Sequence, residues 1–485
     1  MAITGVGAAG YTAAPLKQTL ATNYIDFTAN GNGWAQQYLP DLMEQEAEVF
    51  GNRTISGFLA QVGAEEAMSS DQVIWSEQGR LHLSYKAVAL TASTTTGTLT
   101  FDAGSQDVDG KSVTSTTTAV LHGIRPGDMI LVSDADATAQ GYVTAVAASG
   151  SGTANGVVTW ERYDGANIAT SSLAAGDVSV LVYGSEYAKG VEGRAGANKP
   201  QHLSRTNKPI ILKDKYEVSG SDASQIGWVE VSGEEGQSGY MWYLKAAGDT
   251  KARFADYLEM AMMESIDGGV TSAGHQGGAI TGTEGLWDAL STRGNVASVM
   301  TTLTDYDEMI AELDANGSIE ENMMFMDRTT SLQLDDILAA LAGPGANASY
   351  GVFDNSENMA LNLGFSGFRR GSYDFYKSDF KYLNDASTRG LINSTDAANA
   401  IHGVLIPAGV SSVYDQNLGK NLKRPFLHVR YRASNLESRK FKTWTTGSVG
   451  ATTSDLDAME MHMLSERCLV VQGANNFVLF KGATA

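Results

Sequence analysis

Cysteine is almost absent: Cys468 is the single one in 485 residues, which excludes an internal disulfide and any cysteine-rich zinc site. Proline is scarce too, with eight against 53 glycines, a balance that points to many turns rather than a proline-rich tail. No run of eighteen apolar residues occurs, so no membrane helix is expected. The first residues lack a basic stretch followed by an apolar core, so no secretory signal is expected either. Positive charge is in deficit, with 34 Lys and Arg against 55 Asp and Glu and a net charge of −21. A free DNA-binding protein gains affinity by neutralising phosphates with cations, and this balance opposes that.

Catalytic signatures are missing as well. There is no phosphate-binding G-x-x-x-x-G-K-[ST], no H-E-x-x-H and no G-x-S-x-G. The seven histidines (His82, His122, His202, His275, His402, His428 and His462) are scattered, none at the i, i+4 spacing of a helical zinc site. Gly5-Val6-Gly7-Ala8-Ala9-Gly10 matches G-x-G-x-x-G, but no strand can precede it to aim its backbone at a pyrophosphate. Asp102, Asp107 and Asp109, and separately Asp134 and Asp136, lack the closing bidentate Glu of a calcium loop and read as solvated turn acids. Glu234-Glu235 has no partner base. No enzyme activity, cofactor or metal is expected.

The most informative stretch that is present is 240–267, YMWYLKAAGDTKARFADYLEMAMMESID. Phe254, Tyr257, Leu258, Ala261, Met262 and Ile266 recur on one helical stripe, with Arg253, Asp256, Glu259 and Glu264 off it. Asp267-Gly268-Gly269 is the expected stop. A helix over the whole stretch would be about 40 Å long, and Gly248-Asp249 is its weak point.

Upstream, residues 1–52 read as an arm with one helical stretch at 39–50. The segment 55–67 reads as a short helix, and 73–85 as a strand pair turning at Glu77-Gln78-Gly79. From 86 to about 183, short β-rich runs separated by Gly, Ser, Asp and Thr indicate a small all-β barrel or sandwich. The character on either side of that block matches, so it reads as an insertion. The basic stretch 186–215 and the run 73–85 are expected to be the legs of one long hairpin. Downstream, helices are expected at 306–316 and 327–342 and strands at 322–326, within 365–383 and at 404–413. A long strand at 459–472, a turn, and a short strand at 477–480 close the chain.

One local charge anomaly stands out. Residues 420–442 hold eight of the 34 cations (Lys420, Lys423, Arg424, Arg430, Arg432, Arg439, Lys440 and Lys442) and one acid, Glu437. Phe426, Tyr431 and Phe441 are interleaved, as on nucleic-acid surfaces. This patch is expected to face neighbouring subunits or DNA, and acidic patches on neighbours are the preferred partner.

In this order the pieces resemble the Hong Kong 97-type major capsid protein of tailed bacteriophages. The ending Ser465–Val471, turn, Phe477–Phe480 is similar to that family's closing strand pair, and Gly285–Leu290 and Asn322–Leu341 resemble stretches of marine and gut phage capsid sequences. The resemblance implies an α+β Hong Kong 97-type capsid fold with an inserted all-β domain. It places an N-terminal arm at 1–57 and an extended loop at 72–218, including the β insertion 86–184. A peripheral domain would be built from 219–283 and 401–485 with the spine helix 240–267, and an axial domain from 284–400.

It further implies self-assembly into hexamers and pentamers of an icosahedral shell around double-stranded DNA held by weak, non-specific contacts. A separate scaffolding protein, a portal and decoration proteins would be partners, the location the virion, and the site of assembly the host cytoplasm. No covalent cross-link between subunits is expected. An encapsulin-like nanocompartment shell and a glycan-binding adhesin acting through the β domain are the alternatives.

Overall fold

The run of short strands between residues 86 and 183 alternates apolar and polar side chains, and the structure shows what that alternation closes on. The chain is described here by a computed structural model covering residues 58–59, 64–102, 104–108, 110, 112–113, 122–147, 156–170, 173, 175–194, 202–224, 230–232, 238–270, 280–341, 367–408, 410–415, 420–449 and 452–482. The expected arm and its helix at 39–50 lie outside the described residues, as do Gly5–Gly10 and Glu234-Glu235. The chain divides into two compact units, Ser76–Arg205 and the remainder.

In Ser76–Arg205, antiparallel strands follow the order Thr96–Phe101, Gly156–Arg162, Thr138–Ala147, Asp128–Ser133, Ala175–Ser185 and Ser84–Ala92, with Gln106–Asp107 on the last. Ser84–Ala92 also pairs with Thr96–Phe101, from Ala89 opposite Thr100 to Ala92 opposite Gly97. That pairing closes the sheet into a barrel, which removes its open edges. Every second residue points inward. Val88, Leu99, Ile130, Val132, Val143, Val158 and Trp160 are buried completely. The turn before Asp128 uses Gly127 at φ 95°, a conformation that costs glycine little.

The strand pair expected at 73–85 forms differently. Val73–Gln78 pairs with His202–Asn207, whereas Ser84–Ala92 pairs inside the barrel. The two runs have similar local character but different partners, and register is decided by the partner.

The larger unit holds two sheets. One has the order Ala64–Met68, Leu427–Arg432, Ala458–Val471, Ile210–Ser219, with Lys442–Gly447 also on the long strand Ala458–Val471. Of the segment 55–67, expected to be a short helix, Phe58 and Leu59 are helical, but from Ala64 on the chain is an edge strand, Ala64–Met68, running parallel to Leu427–Arg432, with Ala64 opposite His428 and Met68 opposite Arg432. The neighbouring strand supplies backbone partners that an isolated short helix would not have.

The helix Met241–Glu264 lies on this sheet. Phe254 and Leu258 pack with Met463, Leu212, Phe441 and Met461. Its 24 residues span about 36 Å, and Gly248-Asp249 lie inside it. The buried stripe is rotated from the expected one. Phe254, Leu258, Met262 and Met263 are buried, while Tyr257 is 46% exposed and Ile266 lies past the helix end at 67%. Glu259, expected to face solvent, is buried, with Oε1 accepting from the Leu59 N–H at 3.4 Å. Asp267–Val270 then forms a short hairpin with Ile280–Gly282.

A Cβ at Gly248 would meet nothing within 4 Å. Gly248→Ala is therefore expected to stabilise by about 0.5–1 kcal/mol. A raised urea midpoint checks this, and a lowered one would show that the helix is bent there.

The second sheet has the order Asn295–Ala297, Val478–Lys481, Ile401–Pro407, Glu321–Met326, Tyr373–Asp379, Gly367–Arg370. All seven residues of Ile401–Pro407 are buried, as expected of a central strand covered on both faces. The helices Leu303–Ala315 and Arg328–Leu341 cover this sheet, and Tyr306, Met309, Leu313 and Leu334 pack with Phe368, Tyr373, Phe375 and Phe480. Leu303–Ala315 starts three residues earlier than its apolar period indicates, because Thr302 and Asp305 form a reciprocal capping box.

Ala458–Val471 and Val478–Lys481 do not pair with each other; they belong to different sheets. Gly473, at φ 59°, and the short 3-10 turn Ala474–Asn476 carry the chain across. The apolar end of the long strand (Leu469, Val471) and Phe477 meet Met262, Leu286, Trp287, Leu290, Phe325 and Leu427 in one core shared by both sheets. A single sheet could not bury an all-apolar run on both sides, and two sheets meeting over it can.

Candidate functional site

The basic run is spread over three strands and, for Arg439 and Lys440, the loop before the third. Lys420, Lys423 and Arg424 lie on Lys420–Pro425, opposite Asp415, Ser412 and Ser411 of Val410–Asp415. Arg430 and Arg432 lie on Leu427–Arg432, and Lys442 begins Lys442–Gly447. The five of these cations whose side chains are described, Arg430, Arg432, Arg439, Lys440 and Lys442, all meet carboxylates of the same chain. Arg430 pairs with Glu66 at 2.7 Å, and Arg432 with Asp71 and, at 3.0 Å, with Glu466. Arg439 reaches the other oxygen of Glu466 at 2.6 Å, Lys440 pairs with Glu65, and Lys442 pairs with Glu437 at 2.6 Å.

Two of the acids come from the edge strand Ala64–Met68 and a third, Asp71, from just beyond it. Among that strand's residues whose side chains are described, only Met68 is buried. The strand is held by its backbone ladder with Leu427–Arg432, by Met68, and by these ion pairs. Glu466 is the centre of the cluster, 5% exposed and on the long strand. Arg467, 7% exposed, donates to Ser465 Oγ at 2.9 Å and to the Lys440 carbonyl at 3.0 Å. Burial pulls its guanidinium below the ordinary arginine value, and Glu65 and Glu259 oppose that pull. Glu65, Glu66, Asp71 and Glu466 had no signal in the sequence, because they are between 27 (Arg439 to Glu466) and several hundred positions from the cations they meet.

The interleaved aromatics also have places inside the fold. Phe441 packs edge-on against Phe254 at 5.4 Å, and Phe426 lies against the shared core. Tyr431 carries the Lys440 ammonium 5.4 Å above its ring. Two of the three rings are thus occupied by packing and the third by a cation–π contact, which leaves them poorly suited as platforms for bases.

Asn207 forms a dense polar knot, at 2% exposure. Its Nδ2 donates to the carbonyls of Leu469 at 2.6 Å and Glu284 at 3.0 Å. Its Oδ1 accepts from the backbone N–H groups of Lys208 and Glu284 and from the Thr283 hydroxyl, at 2.8, 2.9 and 3.0 Å. The backbone ladder with the long strand begins only at Ile210 opposite Arg467, because Pro209 has no N–H to give. The asparagine amide fills the next position.

A second knot surrounds Glu264 at the end of the long helix. Its Oε1 accepts from Tyr382 OH at 2.7 Å and from the Trp287 ring N–H at 3.2 Å, and Oε2 accepts from Arg389. Burial and the Glu264 carboxylate both push the Tyr382 hydroxyl well above the ordinary tyrosine value.

Cys468 is buried at 0% exposure, and burial pushes its thiol up to about 12, so it holds its proton and is inert. Asp102 is used by its own turn, accepting from Gly104 N–H at 2.8 Å, and Asp134 accepts from Ala135 N–H. Among the described residues no group of three His, Cys, Asp or Glu side chains is placed to hold a metal ion. None of the described helices is long and apolar enough to cross a membrane.

No protein-family model and no curated protein matches the sequence. Solved structures do. A structure described as Microbacterium phage Oxtober96 covers 93% of this chain and 97% of its own at 9% identity and a TM-score of 0.36. One described as the capsid of a native GTA particle covers 95% and 100% at 11% identity and a TM-score of 0.37. The capsid structure of the cyanophage P-SCSP1u covers 63% and 81% at 11% identity and a TM-score of 0.33.

Proposed function

We propose that this chain is a major capsid protein of the Hong Kong 97 type, a structural protein that assembles into hexamers and pentamers of a shell around double-stranded DNA. The observation that carries the reading is the topology of the larger unit. A 24-residue helix lies on a sheet whose central strand, Ala458–Val471, is the return of the chain after a separate α+β segment. The chain enters the barrel unit through Val73–Gln78 and leaves it through the paired strand His202–Asn207, in keeping with an extended loop at 72–218 carrying the insertion 86–184. Residues 1–57 are the arm, 219–283 with 401–485 the peripheral domain, and 284–400 the axial domain.

Contact with neighbouring subunits or DNA falls to the basic run at 420–442, in which Arg430, Arg432, Arg439, Lys440 and Lys442 also pair with carboxylates of their own chain. A net charge of −21 suits a surface along which packed DNA moves without adhering. A separate scaffolding protein, a portal and decoration proteins complete the assembly, which takes place in the host cytoplasm.

Electron microscopy of the expressed chain with its co-expressed neighbours tests the reading. Shells or capsomers are expected. A monodisperse monomer under every condition would overturn it, and shells filled with an enzyme in place of DNA would identify a nanocompartment.

A further inference from the structure

His402 sits where the pairing between Ile401–Pro407 and Val478–Lys481 slips by one residue. Ile401 is opposite Lys481, but Gly403 is already opposite Phe480. The histidine is the extra residue of a bulge, and a bulge re-aims its side chain out of the regular alternation. The ring, in a residue 7% exposed, is thereby held between two acceptors. Nδ1 is 2.9 Å from Oδ2 of Asp327, and Nε2 is 2.8 Å from the Gly482 carbonyl oxygen. Only the imidazolium has a proton for each. In the neutral ring the remaining proton stays on the nitrogen beside the carboxylate, so the Nε2 lone pair faces a carbonyl oxygen.

Asp327 is fixed by other bonds. Its Oδ1 accepts from Thr330 N–H at 2.8 Å, its carbonyl accepts from Ser331 N–H at 2.9 Å, and its own N–H donates to the His402 carbonyl at 2.8 Å. It thus caps the helix Arg328–Leu341. The Gly482 N–H donates to the Ala400 carbonyl at 3.0 Å. The charged groups on the surrounding elements are Asp327, the Arg328–Asp379 ion pair at 2.6 Å, and Lys481, which acts on Asp396.

We propose that His402 is a proton-controlled latch between the start of the helix Arg328–Leu341 and the segment that follows Val478–Lys481. It is closed while the ring is charged and opens when the ring loses a proton. The direction of titration agrees. The bond from Asp327 raises the His402 value above the ordinary histidine range, against the opposing effect of burial. Burial pushes Asp327 up, but the bonds from His402 and Thr330 outweigh it and hold the carboxyl below its ordinary value.

A raised histidine contributes stability that is complete below its unfolded value of about 6.5 and is lost as pH rises through its folded value. A depressed aspartate contributes stability above its unfolded value of about 3.9 and loses it as pH falls through its folded value. The latch is therefore tightest between those two unfolded values and opens on the alkaline side.

Hydrogen exchange of the amides at 400–404 and 476–482, corrected for the intrinsic effect of pH, tests this on the full chain. Between about pH 6 and pH 10, wild-type protection is expected to fall about tenfold, the weight of one hydrogen bond. Asp327→Asn still caps the helix but removes the charge, so its midpoint is expected to move to lower pH. His402→Gln is expected to show no such step. Flat wild-type protection, an unmoved midpoint in Asp327→Asn, or an equal step in His402→Gln overturns the proposal. If His402→Gln does not fold, the Asp327→Asn midpoint decides.

Discussion

Replacing Asn207 with leucine is expected to destabilise the larger unit by about 3–6 kcal/mol, since each buried polar group left without a partner costs about 1–3 kcal/mol. Leucine has nearly the shape of asparagine, so the loss comes from the hydrogen bonds and not from a cavity. The carbonyls of Glu284 and Leu469, the Glu284 N–H and the Thr283 hydroxyl all lose this partner at a position 2% exposed. Asn207→Asp separates the two halves of the amide. It keeps the acceptor for Thr283 and Glu284 but sets a carboxylate oxygen against two carbonyls, so it is expected to be at least as damaging.

Lys208→Ala is the control. The N–H of residue 208 still reaches Asn207 Oδ1, and the exposed side chain accounts for less than about 0.5 kcal/mol. Urea unfolding of the purified chain reads all three. A loss below about 1 kcal/mol in Asn207→Leu would show that the knot is dispensable.

Trp160 in the barrel is expected to be as sensitive. Its side chain is completely buried, and two glycines make room for it. Gly97 is directly opposite on one neighbouring strand, where a Cβ would come to 2.7 Å from the indole Nε1. Gly141 lies on the other neighbouring strand, where a Cβ would come to 2.2 Å from Cε3. Trp160→Ala should cost about 3–5 kcal/mol, the usual range for a large aromatic removed from a core.

Gly141→Leu should prevent the barrel from closing, because the Glu161 carbonyl, at 2.7 Å from the added Cβ, cannot move aside as a side chain would. Trp160→Phe should be milder than Trp160→Ala, since the indole N–H has no acceptor among the described residues and only volume is lost. Hydrogen exchange of the barrel strands distinguishes these variants from wild type. Equal protection in Trp160→Ala and wild type would contradict the packing argument.

Much of this architecture can be read from local pattern. The helix Arg328–Leu341, the strand Glu321–Met326, the alternating strands of the barrel and the long strand Ala458–Val471 each bury a periodic set of side chains. Period is a property of neighbouring residues, so it survives in the bare sequence. The start of Leu303–Ala315 was legible only through its capping box, Thr302 and Asp305, three residues apart.

What could not be read is which elements meet. Ala64–Met68 is a strand only because Leu427–Arg432 lies beside it, 364 positions on. The closing strands look like a hairpin in sequence, yet each completes a different sheet. The basic run at 420–442 reads as a surface in search of an acidic partner. In the folded chain, Arg430, Arg432, Arg439, Lys440 and Lys442 have Glu65, Glu66, Asp71, Glu437 and Glu466.

The sequence by itself determined many of the kinds of element, the exclusion of an internal disulfide, and the acidity of the chain. Only the tertiary structure decided that Glu259 faces inward, that Asn207 continues a ladder proline interrupts, and that His402 stands between two acceptors. Those outcomes depend on through-space distances between residues 75 to 262 positions apart, and charge and hydrogen bonding act through space over a few ångströms whatever the separation along the chain.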